Sequence, residues 1–115
     1  MIPAPVLFSR SGDGQGQGTI WHSTTGAIVS VSNPAIAGEA LSMYTANLSK
    51  NSVVAPRVVV GGKIAQVLYF GPAPGYPGYY QVNLSVPHGI ASGPATPVLL
   101  SFLGRSSNEV TVAVQ

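Results

Sequence analysis

Apolar positions along the chain recur every second residue in short runs, and each run ends at Gly, Pro, Asn or Ser. Tyr79 to Val86 (YYQVNLSV) is the clearest: Tyr80, Val82, Leu84 and Val86 alternate with Tyr79, Gln81, Asn83 and Ser85. Ala40 to Asn47 sets Leu41, Met43 and Thr45 against Ser42, Tyr44 and Ala46, and Asn108 to Gln115 sets Val110, Val112 and Val114 against Glu109, Thr111 and Ala113. Val98 to Leu103 is apolar on both faces, the signature of a central strand. Pro56 to Val60 and Lys63 to Phe70 flank Gly61-Gly62, which fits a tight two-residue hairpin turn. Pro5 to Ser9, Thr19 to Ser23 and a weaker Gly26 to Val31 complete the set. Gly89 to Pro97 and Gly104 to Ser107 are expected to be loops. Fourteen glycines and ten prolines leave a long helix nowhere to form. The pattern predicts one all-β domain over residues 1–115, an immunoglobulin-like Greek-key sandwich of about seven to nine strands. Tyr80 sits where such folds place an inward-packing tyrosine corner, and the lone Trp21 is expected in the core.

Charge narrows the function. Five basic and three acidic residues make 7% of the chain, against about a quarter in a usual soluble domain. The basic residues are scattered, which excludes nucleic-acid binding by phosphate neutralisation. So little charge also weakens repulsion between copies, so a homo-oligomer joined through edge strands is an expectation. No apolar run approaches the roughly 18 residues of a membrane-spanning helix. MIPAPVLFSRSGDG lacks the basic start and unbroken apolar core of a signal peptide.

Candidate chemistry is sparse. There are no cysteines, and His22 and His88 stand in no metal-ligand spacing, so neither a metal nor a cofactor is expected. Asp13, Glu39 and Glu109 read as surface acids. His22 reads as a partly exposed packing residue, and His88 as a turn residue after Pro87. No GxSxG elbow accompanies the serines. A small hydrolase, an esterase or glycosidase using a histidine and an acid, is therefore the alternative and not the leading expectation. Tyr69 to Tyr80 is richer, with five aromatic residues flanking a Gly/Pro loop. Tyr76, Tyr79, Gln81 and Asn83 are the candidate binding residues there, as rings and amides that stack on sugar faces or anchor a protein. The competing expectation is that the loop crosses between sheets and its rings cap the core.

The last 45 residues also carry a resemblance. Ala73 to Asn83 (APGYPGYYQVN), Val86 to Gly89, Pro97 to Leu99 and Ser107 to Val114 (SNEVTVAV) resemble the tail of an uncharacterised C-terminal domain family of large exported acidobacterial proteins. Ser32 to Ala35 (SNPA), Gly38 and the strand holding Tyr44 look like the same family. Where relatives carry a longer Gly/Pro-rich loop, this chain has only Ala46 to Ser52. The resemblance implies an Ig-like or filamin-like (IPT-like) fold and an extracellular or cell-surface setting within a larger exported protein. It implies no catalytic activity. The expected function is a non-catalytic structural or interaction module with a protein or polysaccharide partner.

Overall fold

The structure is a computed structural model that describes residues 6–12, 15–46, 56–73, 75, 79–102 and 105–115. Nine antiparallel strands form a nearly closed, barrel-like sheet: β1 Val6–Leu7, β2 Ile20–His22, β3 Ala40–Ala46, β4 Arg57–Val60, β5 Lys63–Pro72, β6 Tyr79–Ser85, β7 Gly93–Phe102, β8 Arg105–Ser106 and β9 Val110–Val114. The main path runs β1-β3-β6-β5-β4-β7-β8, with β2 also on β3 and β9 also on β7.

The two-residue periodicity is fulfilled where it was strongest. Leu41 and Met43 of β3, Val82 and Leu84 of β6 and Val110 and Val112 of β9 are all buried. They meet Val58 and Val60 of β4 and Val98, Leu100 and Phe102 of β7 in one apolar cluster. Tyr80 packs inward, its ring stacked on Phe70 at 5.5 Å. Thr45 occupies a core-facing position because its Oγ1 donates to the Val6 carbonyl at 2.8 Å, which also fixes β1. Gly61 and Gly62 take φ of 59° and 83°, the two left-handed residues that a tight β4–β5 turn demands.

Closure depends on β5 and β9. Lys63 to Ala65 pair with β4, whereas β5 pairs with β6 from Gln66 onward, so one strand serves both halves of the sheet. The pairing skips Leu68, a bulge residue that lets the strand bend. At the other seam, Gly18 N–H donates to the Thr111 carbonyl and Thr111 N–H to that of Gly16, at 2.7 and 2.8 Å. Ala35 bridges β9 in the same parallel sense. Asn108 completes the seam with both ends of its amide: Oδ1 accepts from Leu7 N–H and Nδ2 donates to the Leu7 carbonyl, each at 2.9 Å.

Several expectations need correction. Gly26 to Val31 makes only single bridges, Trp21 to Ile28 and Ser30 to Asn33, and is not a strand. β7 begins at Gly93, inside the stretch expected to be a loop; Pro94 falls where its pairing with β9 is irregular, and Pro97 stands opposite Thr111, whose main-chain N–H and carbonyl bond Gly16 and Gly18 instead. Ala113 is buried although it was expected on the outward side of β9, and its carbonyl accepts from Ala35 N–H. β5 and β6 are paired neighbours, with Ala73 N–H donating to the Tyr79 carbonyl, so the segment between them is a hairpin connection and not an inter-sheet crossover.

Candidate functional site

The outer face of the β2-β3-β6 sheet follows from register. Tyr44 of β3 lies opposite Gln81 of β6, Ser42 opposite Asn83, and Ala46 opposite Tyr79. On the far side of β3, Trp21 lies opposite Ser42. Since Leu41, Met43, Val82 and Leu84 fill the core, their alternating neighbours must face outward. Four rings thus gather on a surface that the core does not use. Trp21 and Tyr44 meet edge to face at 5.4 Å, and Phe8 and Tyr79 do so at 5.6 Å.

These two ring pairs wall a groove of about 560 Å³, a size ordinary for small-ligand sites. Gln81, opposite Tyr44 and two residues from Tyr79, and Ser42, opposite Trp21, add polar groups to its lining, and Ser23 and Gly26 line the groove beside β2. The Ser23 and Ser42 hydroxyls bond each other at 2.6 Å. Gln81 Nε2 donates to Asn83 Oδ1 at 3.0 Å, which orients the Gln81 amide and leaves it a further N–H and its carbonyl oxygen. No Asp, Glu, Lys or Arg lines the groove among the described residues.

Of the candidates from sequence, Tyr79 is 42% exposed and lines the groove with Gln81. Asn83 shares their face, half-buried, and supports Gln81 without lining the groove. Tyr76 lies outside the described residues. Trp21 is not in the core: it is half-exposed, because Ile20 and His22 take the inward positions on β2. Sequence reasoning missed Phe8, Trp21, Ser42 and Tyr44 as site residues. The alternation of Ala40 to Ala46 already put Ser42 and Tyr44 on one side. What it lacked was the β3–β6 register that sets that side beside Gln81 and Tyr79.

His22 and Glu39 also differ from expectation. His22 is buried, and its Nδ1 pairs with Glu39 Oε2, while Nε2 lies 2.9 Å from the Asn33 carbonyl. A carboxylate and a carbonyl both accept, so both bonds form together only when each ring nitrogen carries a proton. Burial acts to lower the His22 pKa, but the Glu39 hydrogen bond, the Asn33 hydrogen bond and the Glu39 charge outweigh it and hold the value above 6.5. Glu39 is thus no simple surface acid; its Oε1 also accepts from Ile36 N–H at 3.0 Å. His88 is exposed, with its ring against Gly38. Among the described residues no cluster of three His, Cys, Asp or Glu side chains could hold a metal ion. The chain matches no protein-family model, no curated protein and no solved structure.

Proposed function

We propose that the chain is a non-catalytic interaction module of an exported bacterial protein, displayed outside the cell or at its surface, which meets a protein or polysaccharide partner through the aromatic groove. The observation that carries this proposal is the outward gathering of Phe8, Trp21, Tyr44 and Tyr79 on one sheet face. Rings left in water forgo about 25 cal/mol for every Å² they would otherwise bury. Tyr and Trp are also the residue types that dominate binding energy once a partner covers them. The state of His22 supports a structural role over a hydrolytic one. With both nitrogens bonded to acceptors, its ring has none left to take a proton from a serine.

The strand order supports an immunoglobulin-like, filamin-like classification of the barrel-like sheet. β4, β5 and β6 are consecutive neighbours and β7 returns beside β4, a Greek-key connection. The resemblance of the last 45 residues supports the exported setting. Self-association through edge strands belongs to the same proposal, and the low charge favours it.

Trp21 is the only tryptophan, so its fluorescence reports on the groove without interference. Titration with a panel of polysaccharides and matrix polypeptides is expected to give a saturable change in emission with at least one of them. A flat response to the whole panel would refute the groove assignment. Turnover of chromogenic esters or glycosides that disappears in His22→Ala would overturn the non-catalytic assignment.

A further inference from the structure

Resting on that groove assignment, we infer that the groove takes a neutral polysaccharide, with sugar rings on Trp21 and Tyr79 and hydroxyls on Gln81 and Ser42. A pyranose ring has two unlike surfaces, a face of C–H groups and a rim of hydroxyls. It needs apolar plates with hydrogen-bonding groups set between them. The cross-strand register supplies that alternation: Trp21 and Tyr44 on one side, Phe8 and Tyr79 on the other, with Gln81 opposite Tyr44 and next along the face from Tyr79, and Ser42 beside Trp21. Gln81, steadied by Asn83, offers both a donor and an acceptor, which suits hydroxyls that do both.

Other ligand classes fit less well. A phosphodiester or uronate chain would lose hydration beside a groove whose described lining residues include no Lys or Arg. Among the described lining residues the one side chain that can carry positive charge, His22, already spends both ring N–H groups on Glu39 and Asn33. An acyl chain would cover Ser42 and Gln81 without satisfying them. A peptide bound as an added strand needs an open sheet edge, whereas this groove lies on a sheet face where β3 is paired on both sides.

The test compares Trp21 emission on titration with neutral chains (soluble β-glucan, xylan, galactomannan, amylose), with acidic polygalacturonate and with gelatin. Affinity electrophoresis serves the variants that lack the reporter. At least one neutral chain is expected to bind saturably, and Trp21→Ala and Tyr79→Ala to weaken it at least about tenfold, as truncated aromatic anchors do. Gln81→Ala is expected to weaken the same chain, and Ile64→Ala, on exposed β5 outside the groove, to leave it unchanged. Thermal melting of each variant establishes that it is folded. Undiminished affinity in both folded aromatic variants overturns the inference. Saturation by gelatin or polygalacturonate alone overturns the neutral-glycan class while leaving the groove as a binding site. Silence from every ligand overturns both.

Discussion

Replacing Glu39 by Gln tests whether His22 is held as an imidazolium. In the wild type both ring nitrogens face acceptors, so loss of the proton leaves one buried contact without a hydrogen. A hydrogen bond between charged groups contributes about 1.5–3 kcal/mol net. The Glu39 side chain retains 21% of its exposure, so solvent screening favours the lower end, about 1.5 kcal/mol. For a domain near this length that corresponds to a melting temperature lower by roughly 6 °C. The pH dependence carries the sharper test. Because the folded pKa is raised, folding takes up a proton; the stabilisation is complete below the unfolded value of about 6.5 and is lost as pH rises through the folded one. Wild type should therefore lose stability as pH is raised from 6 towards 8.5. In Glu39→Gln the amide N–H can donate to a neutral Nδ1, so the slope should flatten. The quantity to measure is the difference between the two proteins in urea unfolding at each pH, which cancels the contribution of every other group they share. Equal slopes in both, or a wild type that gains stability with rising pH, would refute the charged-clasp assignment.

Three further substitutions probe the frame. At the β4–β5 turn both glycines have positive φ, but a Cβ on Gly61 would meet Thr96 Cγ2 at 3.1 Å and Ile90 Cβ at 3.2 Å, while one on Gly62 meets nothing within 4 Å. Gly62→Ala should cost about 1–2 kcal/mol in denaturant unfolding from the left-handed backbone alone, and Gly61→Ala more. Gly18→Ala places its methyl 2.9 Å from Val110 Cγ2 in the core, and a loss of about 1–3 kcal/mol from overpacking should lower the urea midpoint. Asn108→Ala removes both hydrogen bonds to Leu7, so hydrogen exchange should accelerate first at the Leu7 amide, ahead of β3 and β6.

Sequence alone disclosed the strands that bury one face. Alternation in Ala40–Ala46, Tyr79–Ser85 and Val110–Val114 reflects a one-sided demand for burial, and each stretch lies where the pattern put it. It failed where burial came from outside the strand's own alternation. Ala113 is buried on the side of β9 that the alternation turns outward, and Gly71 is buried beside the Tyr69 ring, whose hydroxyl lies 2.5 Å from where a Cβ would stand. The prolines of Gly93–Pro97 obscured half of β7 for a similar reason, since a proline is tolerated wherever its missing N–H has no partner to satisfy. The candidate site was half legible. Tyr79, Gln81 and Asn83 belong to one alternating strand and so declare their common face. Phe8, Trp21 and Tyr44 join them through pairings between distant segments, and no local periodicity encodes a register. Glu39 was misread because its partner stands 17 positions away.

The Asn108 clamp has a kinetic meaning. Leu7 and Asn108 stand 101 positions apart, so this contact forms by closing a loop that embraces almost the whole sequence. During synthesis, β3 to β6 have their partners early, but the seam along β9 waits until residues 108–115 have left the ribosome. Until then Gly16, Gly18 and Leu7 must stay hydrated with their main-chain groups unengaged. A chain wired in this way should refold on the millisecond-to-second scale typical of non-local β topologies, and slow further when the clamp is cut.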